Sequence, residues 1–202
     1  MNSYEKKDVV NRYSERIARL GPVVQALGWR DEEQQQLRFK VFGDFIDFTK
    51  SVSVLDIGCG FGDFYNFLLK IKPDIQYTGC DLSQDVIEIA RSQNKSGSFE
   101  VRDISIKPYS ESQFDYICMS GIFNYRICDN LKYLNDTIES TFKFCRQGII
   151  FNLTTDLVDY ESPELFYYSP EEVFRLCTKL SRSIILRHDY PLYEFTIFVK
   201  KQ

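Results

Sequence analysis

A doubly wound α/β fold is the class this sequence predicts: a mostly parallel seven-stranded sheet with an antiparallel last strand, plus N-terminal helices. Three observations predict it. The stretch Ser53-Val54-Leu55-Asp56-Ile57-Gly58-Cys59-Gly60-Phe61-Gly62-Asp63-Phe64 reads as a short apolar strand that breaks into alternating glycines and then into a helix. From there onward short strands alternate with amphipathic helices, the rhythm of a parallel sheet covered on both faces. The last two strands, residues 183–188 and 194–199, are separated by only five residues. That gap is too short for a crossover helix, so they pair as an antiparallel hairpin.

In chain order, Val10, Tyr13, Ile17 and Leu20 recur at helical intervals and predict a helix over residues 8–20, ended by Gly21-Pro22. Tyr4 precedes it in a polar terminus. A second helix follows Asp31, which can cap it with Gln34 three residues on, and Leu37, Val41, Phe45 and Phe48 form its expected buried stripe. The helix after the glycines carries Phe64, Phe67, Leu68 and Ile71 and stops before Pro73. Strand two covers residues 76–81, and Ser83 is placed to cap the helix bearing Val86, Ile87 and Ala90. Strand three covers 98–103 and strand four 114–119. Leu131, Leu134, Ile138 and Phe142 mark the next helix, and residues 148–153 the fifth strand. Ser169-Pro170-Glu171-Glu172 has the form of a capping box with proline at the first helical position, so a helix begins there.

Glycines let a backbone turn tightly and approach a ligand, and a helix start offers free N–H groups, so the strand–glycine–helix stretch predicts a nucleotide-sized pocket. The dinucleotide fingerprint G-x-G-x-x-G wants its third glycine where this chain has Asp63. A carboxylate at that helix start repels a pyrophosphate and tolerates a ligand without phosphates.

The pattern Asp56-x-Gly58-x-Gly60-x-Gly62 resembles motif I of the class I S-adenosylmethionine (SAM) dependent methyltransferases. Further motifs follow in that family's order. Asp81 ends strand two, nineteen residues after Gly62; Asp103 follows strand three; Phe114-Asp115 opens strand four. The resemblance implies a single methyltransferase domain over 1–202, with 1–50 as an N-terminal helical cap and 51–202 as the Rossmann-like core. It implies SAM as cofactor, and a cofactor site made of Asp56, Gly58, Cys59 and Gly60 at the turn. Asp81 and Leu82 are implied at the ribose, Asp103 and Ile104 at the adenine, and Ser120 after strand four. Arg38 on the cap has a fork of donors suited to the methionine carboxylate, set against the plainer reading of a solvated helix arginine. Tyr13 and Trp29 are read as packing.

Methyl transfer neutralises the sulfonium, so the protein's task is to align an acceptor lone pair and exclude water; a general base adds to this where the acceptor must lose a proton. His188, the single histidine, is the candidate base, with a nearby carboxylate setting its tautomer; a hydrogen-bonded strand-end histidine is the plain alternative. Asn124 follows strand four, where methyl transfer usually occurs in this family, but outside the Asn-Pro-Pro-Tyr pattern of enzymes that methylate amide or base nitrogens. The segment after strand five, residues 154–168, is aromatic and acidic. It reads either as an acceptor wall or as a surface loop whose aromatics pack on the sheet.

Composition narrows the class. The chain has 202 residues, 44% of them hydrophobic and 27% charged, so it can bury a substantial core. A net charge of −4 supplies no basic field for a nucleic-acid backbone. No apolar run spans a bilayer, and Met1-Asn2-Ser3-Tyr4-Glu5-Lys6-Lys7 lacks a signal-peptide core. Six scattered cysteines without a C-x-x-C pair argue against zinc and for a reducing cytoplasm. The expected partner is a small-molecule acceptor at oxygen or nitrogen. An RNA or protein acceptor, a nicotinamide-dependent oxidoreductase and a catalytically idle SAM-binding module are the alternatives. Oligomeric state is left open.

Overall fold

The structure, a computed structural model, describes residues 1–202. By Cα proximity the chain forms two compact units, residues 2–108 and residues 109–202, the second also taking Met1.

The first unit begins with α1 (Ser3–Leu20), a turn of 3₁₀ helix at Val24–Leu27, and α2 (Glu32–Gly43). Helix α1 starts five residues earlier than hydrophobic spacing suggests. Asn2 is the reason: its side chain accepts from the Glu5 N–H while Glu5 returns a bond to the Asn2 N–H, a reciprocal capping box. Tyr4 therefore lies on a helix, though exposed. Asp31 caps α2 through the Gln34 N–H, as expected. The buried face of α2 is shifted from the predicted stripe. Gln35, Arg38, Phe39, Val41 and Phe42 point inward, while Leu37, Phe45 and Phe48 are only partly buried. Two inward positions hold polar side chains with polar partners, a pattern that hydrophobic periodicity cannot register.

After α2 come β1 (Ser53–Ile57), α3 (Asp63–Ile71), β2 (Gln76–Asp81), α4 (Gln84–Gln93) and β3 (Ser98–Val101). The three strands pair in parallel, β1 with β2 and β2 with β3, so their carboxyl ends share one edge. Every residue of β1 is buried, as a strand covered on both faces requires. Helix α1 packs Tyr13 and Ile17 against a cluster of Ala26, Phe61 and Val86, so the packing role read for Tyr13 holds.

The second unit contains β4 (Phe114–Met119), α5 (Asn130–Thr141), β5 (Cys145–Thr154), α6 (Pro170–Cys177), β6 (Ile184–Arg187) and β7 (Glu194–Lys200). Strand β4 runs parallel to β5, and β7 is antiparallel to both β5 and β6. The reversed final strand is the one the five-residue gap predicts. Strand β7 is inserted between β5 and β6, and the sheet order is β3-β2-β1-β4-β5-β7-β6. No helix is long and apolar enough to cross a membrane.

Candidate active site

Three parallel strand ends in the first unit carry the predicted cofactor residues to one edge, where open α/β sheets bind ligands. At β1, Gly58 and Cys59 both donate their N–H groups to the Cys80 carbonyl, at 2.7 and 3.1 Å. This folds the glycine turn against the end of β2. Gly62 has φ +85°, and a Cβ there would lie 2.7 Å from the Asn94 amide nitrogen and 2.8 Å from the Phe99 ring. The same Asn94 amide donates to the Phe61 carbonyl at 2.9 Å, so an α4 side chain holds the turn from behind. Gly60, at φ +55°, has no room for a Cβ beside Leu27.

The acids around this turn form a negative cradle. Asp56 is buried and accepts the Tyr77 hydroxyl at 2.6 Å. Burial pushes its carboxyl up to about 7; the Tyr77 bond opposes the rise, and Asp81 and Asp63 add to it. The Asp81 oxygens accept the Gly60 N–H at 3.4 Å and the Ser83 N–H at 3.1 Å. Burial raises this carboxyl, while the N–H groups of Ser83, Gly60 and Leu82 hold it back. Asp63 at the start of α3 accepts the Gln35 amide at 3.0 Å and is likewise raised by burial. Gln35 is one of the inward polar residues of α2; the other, Arg38, is buried with its guanidinium 4.4 Å from the Trp29 ring centre. The solvated-arginine reading is therefore excluded, and Trp29 packs as expected.

Asp103 sits beyond β3, and its two oxygens are differently engaged. Oδ1 accepts the Ser105 N–H at 3.0 Å and the Ser105 hydroxyl at 2.7 Å, while Oδ2 accepts the Lys6 ammonium at 2.6 Å. Partial burial raises this carboxyl, but the Lys6 and Ser105 bonds outweigh it and hold it below the usual range. Leu82 and Ile104 are partly buried in the loops beside Asp81 and Asp103. Cys59 is buried, which pushes its thiol well above the usual value, so it belongs to the turn as a small side chain rather than as a reactive thiol.

In the second unit, the loop after β4 is held by a buried relay. The Gly121 N–H donates to Asn152 Oδ1 at 2.9 Å, and the Asn152 amide donates to the Glu194 carboxylate. Asn152 is fully buried and Glu194 nearly so. Further along, the Asn124 carbonyl accepts the Phe166 N–H at 2.9 Å, Asn130 donates to the Tyr125 carbonyl, and the Tyr168 hydroxyl donates to the Phe123 carbonyl. Within this pinned loop Ser120 Oγ and Asn124 Oδ1 are buried and have no hydrogen-bond partner. Buried polar atoms are rarely left so, and two on one loop mark a place for a ligand with polar groups.

His188 is not brought to that loop. It is exposed, beyond β6, with its ring 6.1 Å from Phe195. Strand β6 is three strand spacings from β4, or about 14 Å. Asp189, the adjacent carboxylate, is bonded to Arg187 at 3.0 Å. The segment 154–168 shows mainly the surface-loop arrangement: Tyr168 is buried against Phe166, while Asp156, Asp159, Glu161 and Glu164 are exposed. Glu194, Gln35, Tyr77 and Lys6 were not singled out from the sequence. Their only signal is a polar residue at an inward or strand-end position, which spacing alone does not distinguish from a surface one.

A family model described as a methyltransferase domain matches residues 48–195. The chain belongs to this SAM-dependent methyltransferase family. A Mycobacterium tuberculosis protein named "Putative methyltransferase Rv1506c" is 32% identical over 158 residues, covering 74% of this chain and 93% of that protein. Phosphoethanolamine N-methyltransferase 1 of Triticum aestivum is 39% identical over 84 residues, covering 39% of this chain and 16% of that protein. Among solved structures, a SAM-dependent methyltransferase from Archaeoglobus fulgidus has a TM-score of 0.65 at 15% identity, over 84% of this chain and 94% of that one. This last likeness concerns the fold. The cofactor of the family is SAM, and the acidic turn fits it. A sulfonium and an ammonium are welcome where Asp56, Asp63 and Asp81 converge, and a pyrophosphate is not.

Proposed function

We propose that this methyltransferase acts on a small molecule carrying a hydroxyl or amine, methylated at oxygen or nitrogen, and that the loop Ser120–Asn124 receives it. One observation carries the reading: Ser120 Oγ and Asn124 Oδ1 are buried and unpartnered on a loop whose backbone is pinned by Asn152 and Tyr168. A ligand bearing hydrogen-bond donors relieves both atoms, which otherwise cost about 1–3 kcal/mol each. Support also comes from the net charge of −4, which supplies no field for a polyanion. A relative named for phosphoethanolamine methylation points the same way.

The cofactor, when bound, supplies an electrophilic methyl group on sulfur. The chain's own residues do the rest. Asp81 takes the ribose hydroxyls, since its N–H donors leave acceptor capacity on the carboxylate. Asp103 and Ile104 take the adenine, and Arg38 takes the methionine carboxylate. Asp56, Gly58, Cys59 and Gly60 shape the turn and place negative charge beside it. Asn124 and Ser120 orient the acceptor, and orientation is the larger part of the catalytic task in a reaction that neutralises charge. The domain is proposed to extend over 1–202, with residues 1–50 as its cap, in a cytoplasmic protein.

Calorimetry with SAM, S-adenosylhomocysteine and NAD comes first, followed by methyl-labelled SAM offered to small alcohols and amines, bulk RNA and protein. Label in a small hydroxyl or amine compound, lost on Asn124→Ala with S-adenosylhomocysteine affinity retained, is the expected result. Label in RNA or protein alone overturns the acceptor reading.

A further inference from the structure

Helix α1 touches three parts of the cofactor half, each through a specific contact. Its first turns reach the loop after β3, where Lys6 Nζ lies 2.6 Å from Asp103 Oδ2 and 2.6 Å from Ser105 Oγ. Its middle reaches α4, where the Ser14 hydroxyl donates to Asp85 at 2.6 Å. Its inner face, Tyr13 and Ile17, packs on the cluster containing Phe61 of the glycine turn. The capping box at Asn2 fixes where the helix begins, and so fixes Lys6 one turn in.

The contacts around Asp103 assign separate tasks to its two oxygens. Oδ1 is taken twice by Ser105, in a turn that the Ile106 and Lys107 N–H groups close onto the Asp103 carbonyl. Oδ2 accepts Lys6 and retains a lone pair. Lys6 and Asp103 side chains are 20% and 21% exposed, so the pair is shielded more than an ordinary surface ion pair. A lysine and a hydroxyl from different elements therefore hold one carboxylate in one orientation, with one acceptor position left over.

We propose that Lys6 is a cofactor-positioning residue: the N-terminal helix forms one wall of the adenosine site, and Lys6 fixes the Asp103 carboxylate to receive the exocyclic amino group of the purine. This rests on the assignment of Asp103 to the adenine. Without the ammonium, Oδ2 is free to rotate toward solvent, and the cost of ordering it falls on the ligand. Lys6 acts through Asp103, so its effect belongs to the nucleoside and not to the amino-acid end of the ligand.

The test is titration calorimetry on the full chain with S-adenosylhomocysteine and, separately, with 5′-methylthioadenosine, which lacks the amino-acid portion. Lys6→Met keeps the aliphatic stem and is expected to weaken both ligands about fivefold, with Lys6→Arg restoring affinity to within about twofold. In an Asp103→Asn background the Lys6→Met change is expected to have no further effect on affinity. Circular dichroism melting reports whether either variant alters folding. If Lys6→Met binds both ligands like the parent, or loses as much affinity in the Asp103→Asn background, the positioning role is refuted and α1 is only a structural strap. Failure of the unmodified protein to bind S-adenosylhomocysteine sinks the site assignment itself, an outcome separate from equal binding by parent and variant.

Discussion

Asp56 offers the sharpest quantitative test, because its titration and its place in the glycine turn are tied to the same buried geometry. The carboxyl is 3% exposed, bonded to Tyr77, and pushed by burial to about 7. An unfolded aspartate titrates near ~3.9. Between about pH 4 and 7 the unfolded chain has therefore released this proton while the native protein still holds it. Native stability from this group is present below pH ~4, falls as pH rises through that window, and levels off above about 7. The interval is worth about 4 kcal/mol as an upper scale. Asp56→Asn keeps the shape and an acceptor for the Tyr77 hydroxyl but cannot ionise. Any fixed cost of the new amide shifts stability equally at all pH values. Urea unfolding, followed by circular dichroism from about pH 4 to 8 at constant ionic strength, measures the difference between variant and parent. That difference is expected to move in favour of the variant by about 4 kcal/mol over the range. Curves that remain parallel to within about 1 kcal/mol would mean that Asp56 ionises normally, and the account of a buried neutral carboxyl beside the turn would be wrong.

Three other outcomes follow from the same geometry. Asp81→Ala removes the carboxylate braced by Gly60 and Ser83, and S-adenosylhomocysteine affinity should fall by at least about 50-fold in calorimetry while the far-ultraviolet spectrum is unchanged. Unaltered affinity would remove Asp81 from the site. Gly62→Ala forces a side chain into φ +85° and into contact with Asn94 and Phe99, so thermal unfolding should show a loss of about 2 kcal/mol or more. A neutral result would mean the turn relaxes freely. His188→Gln should leave turnover within about twofold on any acceptor the labelling experiment finds, because β6 stands three strands from β4. A drop of a hundredfold or more would restore the histidine as a base.

The N-terminal helices show where reading residues in a row succeeds and where it stops. Asp31 as a cap, Gly21 as a terminator and the three glycines of the turn are local statements: a side-chain oxygen three residues from an N–H, or a φ that disfavours a Cβ. Each was legible because cause and effect lie within one turn of chain. The inward face of α2 was not. Gln35 and Arg38 look like surface residues by type, and only the arrival of Asp63 and Trp29 at short distance makes their burial tolerable. The same holds for Asn152 and Glu194, whose polar groups satisfy each other across paired strands.

By itself, then, the chain's order of residues determined the strand and helix sequence, the reversed final strand, the glycine turn and the acids at the ends of β1, β2 and β3. All of these depend on periodicity, on short connections, or on backbone geometry confined to a few neighbouring residues. Tertiary structure alone decided which acids share a turn, which carboxylate is held by Lys6, that Ser120 and Asn124 are left without partners, and that His188 stands apart from them. Electrostatic and hydrogen-bonding partners are chosen by distance in space, which falls off over a few ångströms, and residues 97 positions apart carry no mark of that proximity in the chain.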